Sequence, residues 1–217
     1  MNLSEIMAKN TMKGQISMIA HKGGELVNGK IVGGEVLKTF TVQNLIVDTA
    51  SKLMAARMAP GAITGGTNPA FQGNFVDRGL QYLALGVGYL KNPALPYDET
   101  TNNVDTTKWN LQNPPQEQLT ETKLVGEFYR KRFTTWCFVD AAGNETSSLT
   151  NVLKLSTTFY ENEANGPITE MGIYGGDAQD WGAGVGKDSG TLFNLKRIKV
   201  WNKENYSRLS IVWQITF

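Results

Sequence analysis

The sequence predicts a mainly β protein: a two-sheet β-sandwich with one amphipathic α-helix and an N-terminal hairpin arm. Three observations carry that expectation. Glycine is abundant, 23 in 217 residues, and it falls in pairs or beside Asn between short apolar runs, where turns between strands are needed. Period-2 alternation of apolar and polar side chains recurs through the second half of the chain. Only one segment repeats its apolar residues at a helical period. The expected organisation is an arm with hairpins over 1–40 and a sandwich domain over 41–217.

The elements follow in order. Residues 1 to about 14 are polar and Met-rich and read as a terminal arm. Between Gln15 and Val42 the apolar runs are broken by Gly23-Gly24, Asn28-Gly29 and Gly33-Gly34. Asn-Gly between two such runs predicts a type I′ hairpin, which needs positive φ at both central residues. After Asn44, apolar side chains at Leu45, Ile46, Ala50, Leu53, Met54 and Met58 predict a helix over about 45–59, stopped at Pro60-Gly61. Leu80 to Leu85 is a compact apolar strand. The stretch of about 89–121 is polar and rich in Pro, Asn and Thr, so it reads as a long functional loop or insertion.

Further on, Lys123 to Asp140 reads as one long strand or a bent pair, with Val125, Tyr129, Phe133 and Cys137 on one face. Val152 to Tyr160, Ile168 to Tyr174 and Leu192 to Trp201 are strands separated by Gly-rich turns. Leu209, Ile211, Trp213, Ile215 and Phe217 alternate with Ser210, Val212, Gln214 and Thr216, the pattern of a half-buried core strand.

Charge narrows the function classes. Lys plus Arg number 21 against 20 for Asp plus Glu, so the formal charge is +1. That balance offers no electrostatic drive toward nucleic acid or an anionic membrane, and it leaves self-association weakly opposed. No segment nears the roughly 20 apolar residues of a membrane-spanning helix. Cys137 is the single cysteine, so no intrachain disulfide is available, which fits assembly in a reducing cytoplasm. Met1 to Glu5 lack the basic-then-apolar order of a secretory signal.

A search for chemistry gives little. One His and one Cys exclude a Cys–His metal cluster within the chain, and no metal or other cofactor is expected. His21, beside Gly23-Gly24, reads as structural. Gly182 to Lys187 resembles a phosphate loop, but the first required Gly falls on Trp181 and Asp188 replaces the magnesium-binding Ser or Thr. Glu161, Glu163 and Glu170 could supply a carboxylate pair for glycoside hydrolysis. Solvated turn acids explain Glu161 and Glu163, whereas Glu170 interrupts an apolar strand and suggests a buried acid bonded to backbone or to a cation. Arg130-Lys131-Arg132 reads as a solvated strand edge that resists unwanted pairing, and Lys196, Arg197 and Lys199 read the same way. The chain is therefore expected not to be an enzyme.

Four stretches resemble structural proteins of tailed bacteriophages, of the tail-fibre, baseplate or neck-collar type. They are Val42–Asp48, Gly79–Gly88, Ile168–Tyr174 and Leu209–Phe217, in order over about residues 36–217. The stretch after Gly88 and the N-terminal hairpins depart from the pattern. The resemblance implies a virion location, no cofactor, and partnership with copies of itself in a symmetric homo-oligomer, a trimer being one arrangement, and with other virion proteins. Alternatives are a capsid-decorating fibre and a module that binds host-surface glycan. For glycan or subunit contact the expected residues are the loop aromatics Trp181, Trp109 and Tyr97, whose rings can stack on a sugar face or anchor a neighbour.

Overall fold

A computed structural model describes residues 13–47, 79–92, 95, 97–98, 100–181 and 186–217. Among them the strands are β1 (Lys13–Val27), β2 (Lys30–Ile46), β3 (Leu80–Gly86), β4 (Glu127–Arg132), β5 (Thr135–Val139), β6 (Glu145–Thr146), β7 (Val152–Phe159), β8 (Gly166–Gly175), β9 (Thr191–Lys203) and β10 (Arg208–Thr216). The described residues contain no helix. Two compact units interleave along the chain. The first takes the chain up to Ile46, then Phe133–Glu163 and Asn205–Phe217; the second takes Val47–Arg132 and Ala164–Glu204.

The first unit is an antiparallel sheet in the order β2-β1-β10-β7-β5-β6. Its longest feature is the β1–β2 hairpin, which closes at Asn28 (φ 49°) and Gly29 (φ 74°), with Val27 opposite Lys30. Both turn residues are left-handed, as the right-handed twist of the flanking strands requires. Gly29→Val places a β-branched side chain in that region. It is expected to cost about 1–2 kcal/mol, read as a lower denaturation midpoint by circular dichroism.

β10 lies between β1 and β7, so the expected core strand is a central one. Leu209, Ile211, Trp213 and Ile215 are fully buried on one face. Phe217 departs from the expectation: it falls beyond the strand and is 44% exposed. Ser210 and Val212 on the opposite face are buried too. The reason lies in the hairpin. β10 accompanies β1 only as far as His21 opposite Arg208, and beyond it the left-handed Gly23, Gly24 and Gly33 bend the hairpin. Arg208 Nη1 donates to the Gly24 carbonyl at 3.0 Å, and Lys154 Nζ lies 2.9 Å from where a Cβ on Gly29 would sit. The hairpin tip thus rests against β7 and covers the polar face of its own sheet.

The expected helix start is a strand. Asn44, Leu45 and Ile46 complete β2, with Asn44 opposite Gly14. The ladder to β1 carries the strand as far as Asn44, and the chain stays extended through Ile46 against its local helical period. The rest of the expected helix, 48–59, lies outside the described residues, as do 1–12 of the N-terminal arm.

The second unit is an antiparallel sheet in the order β4-β3-β8-β9. Val47, Tyr82, Ala84, Leu124, Tyr174, Ala178, Leu192 and Leu195 form a buried cluster within it. From Tyr82 to Leu85 β3 is buried on both faces, which fits the apolar run there. Among the described residues of the stretch after Gly88, side chains cap several turns. Asp98 accepts from the Thr100 N–H at 2.9 Å, Asp105 from the Thr107 N–H at 3.1 Å, and Asn110 from the Gln112 N–H at 2.8 Å. These bonds replace ladder bonds where no strand forms. The Val200 N–H donates to the Leu111 carbonyl at 2.9 Å and ties the stretch to β9.

Candidate functional site

Ionisable side chains cluster inside the second unit, and Glu170 is the deepest of them. It lies on β8 with its carboxylate fully buried. Oε1 accepts the Gly126 N–H at 2.7 Å and the Gly88 N–H at 3.3 Å. Those two residues are the two ends of the long stretch, and the Val87 N–H also reaches the Gly126 carbonyl at 3.0 Å. One carboxylate therefore fastens the base of a segment almost forty residues long, by the residue numbers of its ends. Close approach is a condition of this arrangement, since a Cβ on Gly126 would land on the Gly88 carbonyl oxygen. Gly126→Ala is expected to destabilise by about 2–3 kcal/mol, because backbone cannot swing aside as a side chain can. A urea titration of the variant reads that loss.

Arg197, on β9, faces the same acid. Its Nε lies 3.8 Å from Glu170 Oε2, an ion pair too long for a hydrogen bond. Its Nη2 donates to Glu121 at 2.6 Å and its Nη1 to the Gln116 carbonyl at 3.2 Å. The guanidinium stands 5.0 Å from the centre of the Trp109 ring. Burial raises the Glu170 carboxyl above the ordinary range, against the lowering effect of the backbone donors and of Arg197.

A second buried pair lies on β4. Arg130 donates to both Glu127 oxygens, from Nε at 2.5 Å and from Nη2 at 2.7 Å, with both side chains wholly buried. Arg130 Nη1 also donates to the Ser189 carbonyl and hydroxyl, each at 2.9 Å. The guanidinium sits 4.6 Å from the Tyr174 ring centre, and the Tyr174 oxygen accepts the Leu124 N–H at 2.9 Å. Burial raises the Glu127 carboxyl, with Arg130 opposing, and burial lifts the Tyr174 phenol well above its usual value. The expectation of a solvated basic edge therefore fails at Arg130 and at Arg197. β4 is indeed the last strand of its sheet, but each arginine finds a carboxylate inside the fold, which sequence spacing alone does not reveal.

The remaining acids and the histidine are tied locally in the first unit. Glu161 accepts from Arg208 Nε at 2.8 Å, and Glu163 accepts the Tyr160 N–H at 2.8 Å. His21 is buried, with Nδ1 at 2.6 Å from the Gly23 carbonyl and Nε2 at 2.9 Å from Ser210 Oγ. Ser210 in turn meets the Thr158 hydroxyl at 2.7 Å. Since the carbonyl only accepts, Nδ1 carries a proton and the ring holds the bend of the hairpin to β10.

The three loop aromatics are placed separately. Trp109 is only 6% exposed, packed on Gly88 and edge-on to Tyr89 with centroids 5.9 Å apart. Tyr97 is half-buried against Gly166 and edge-on to Phe128 at 5.5 Å. Trp181 is half-buried and stacks on Tyr129 at 6.0 Å. The aromatic that sequence reasoning passed over is Trp136 on β5, which is 67% exposed. Alternation had placed Cys137 with the apolar side chains of this strand, whereas the register sets Trp136 opposite Leu155, in line with Trp213, and Cys137 opposite Lys154. Two hollows adjoin it in the first unit. One of about 210 Å³ lies between the hairpin tip, Leu26 to Gly29, and Thr135, Cys137, Lys154 and Ser156. The other, of about 350 Å³, is lined by Trp136, Cys137, Phe138, Glu145, Thr146 and Ser147.

No protein-family model, no curated protein and no solved structure matches this chain.

Proposed function

We propose that this chain is a non-enzymatic structural subunit of a tailed-phage virion, acting in the tail, baseplate or tail-fibre assembly by homo-oligomerisation and by docking to neighbouring virion proteins. The neck-collar or a capsid-decorating fibre is the alternative position. The four stretches named above support the phage reading. A two-sheet sandwich with a helix beside it belongs to the same proposal.

The observation that carries the assembly role is the set of large apolar side chains left in solvent. Leu149 is 84% exposed, Tyr206 64% and Val32 57%, and Val36 and Leu37 are exposed as well. Burying such side chains against a neighbour returns roughly 25 cal/mol for each Å² removed from water. The non-enzymatic reading is supported by the roles of the buried acids. Glu170 holds a loop and Glu127 holds an arginine, and neither lines either of the two hollows described.

The test of location uses purified particles of the phage that encodes the chain. Gold-labelled antibody and mass spectrometry are expected to find it at a fixed, symmetric copy number on the tail or neck. Its absence from washed particles contradicts the proposal.

A further inference from the structure

We infer that the step in the sheet edge beside Trp136 is a saccharide-binding notch. β6 has two residues, so on that side β5 is paired only at Phe138 and Val139. The Asp140 N–H bonds to the Asn144 carbonyl at 2.9 Å, which sets the alternation along β5. Asp140, Phe138 and Trp136 turn their main-chain groups toward the β6 side. At Ser148 the chain turns away, its N–H taken by the Thr146 hydroxyl at 3.1 Å. The Trp136 N–H and C=O therefore look onto the step where the β6 ladder has ended.

The indole above that step is held as well as exposed. It meets the Phe138 ring edge-on, with centroids 5.9 Å apart and an interplanar angle of 82°. A buttressed ring loses little freedom when a flat ligand settles on it. Thr146 and Ser147 line the notch beside it, and Glu145 lines it from the other face of the sheet. Glu145 is already paired with Lys154 Nζ at 2.6 Å, so the notch presents polar groups without an unanswered charge. Its volume of about 350 Å³ lies at the small end of ligand pockets, ~300–1,000 Å³.

One ligand chemistry fits all of this: a neutral sugar ring. Its C–H face stacks on the indole, a hydroxyl donates to the Trp136 carbonyl, and its oxygens accept from the Trp136 N–H and from the Thr146 hydroxyl, which lies on the indole's side of the sheet opposite Phe138. A phosphate or sulfate group finds no free cation in the notch, since Lys154 is engaged.

The experiment follows the indole N–H signals of ¹⁵N-tryptophan-labelled full-length chain, which has five tryptophans, with Trp136 assigned from Trp136→Phe. The probes are the methyl glycosides of glucose, galactose, mannose and N-acetylglucosamine, with their β-linked disaccharides. At least one is expected to shift the Trp136 signal saturably and leave the other four in place. Trp136→Ala is expected to weaken that binding about tenfold or more by calorimetry, a loss of about 1.4 kcal/mol, with sedimentation unchanged. Ser147→Ala, which leaves the Thr146–Ser148 turn in place, is expected to weaken it without altering the Trp136 signal of the free chain. Two results overturn the inference. One is a Trp136 signal that ignores every probe; the other is a signal that moves with protein concentration alone, which would make the notch a contact between copies.

Discussion

Glu170→Ala is expected to lower stability by about 3–5 kcal/mol, enough to unfold the second unit of a marginally stable chain. The substitution strands the N–H groups of Gly88 and Gly126 in the interior, each costing about 1–3 kcal/mol when left without a partner. It also leaves Arg197 beside an empty cavity. Glu170→Gln keeps an oxygen that both N–H groups can reach and is expected to cost less than about 1 kcal/mol. Urea denaturation of the two variants, followed by fluorescence, separates a clamp from a catalytic acid, because only a clamp makes Ala so much worse than Gln for folding.

pH dependence adds a second reading of the same site. Burial places the folded-state pKa values of Glu170 and Glu127 above the ordinary range near ~4.3. Folding then favours the protonated acids, so their contribution is fully present below about pH 4.3 and falls as pH rises through the raised values. Asp98 and Asp105 behave oppositely, since hydrogen bonds from Thr100 and Thr107 hold their carboxyls low. Their contribution is present above about pH 3.9 and is lost as pH falls. The stability difference between Glu170→Gln and the natural chain is expected to move in favour of Gln as pH rises from the ordinary Glu range.

Arg130→Ala is the second large effect. It isolates a buried carboxylate, removes the cation over Tyr174 and frees the Ser189 carbonyl, for an expected loss of about 3–5 kcal/mol. Replacing both partners, Glu127→Leu with Arg130→Met, is expected to recover more than half of that loss, because the desolvation cost of both charges vanishes with the pair. Thermal denaturation of the single and double variants checks the cycle. A double variant as unstable as Arg130→Ala would mean that the Ser189 and Tyr174 contacts, rather than the ion pair, hold this corner.

The β character was legible in the sequence wherever local chemistry decides. Asn28-Gly29 announced its turn, and the alternation from Leu209 to Ile215 announced a core strand. What sequence could not convey is partnership across distance. The helical period after Asn44 begins inside β2, a strand that β1 pairs as far as Asn44. Arg130 looked like a solvent charge because strand alternation turns Glu127, three residues before it, to the other face, and only the irregularity where Leu85 and Gly86 meet β4 brings the two together. Arg197 looked like one because Glu170 meets it only through the β8–β9 register. Trp109 looked free because nothing near it in sequence names Gly88 as the surface on which it lies. Glu170 was the exception: an acid in an apolar strand already asked for a buried donor, and the Gly126 and Gly88 N–H groups are that donor.

Self-assembly is the core of the proposed role. Sedimentation velocity of the purified full-length chain over a hundredfold range of concentration tests it most directly. The account predicts one discrete homo-oligomer, weakened when Leu149→Ser and Tyr206→Ser are combined. A chain that sediments as a monomer at every concentration would contradict it.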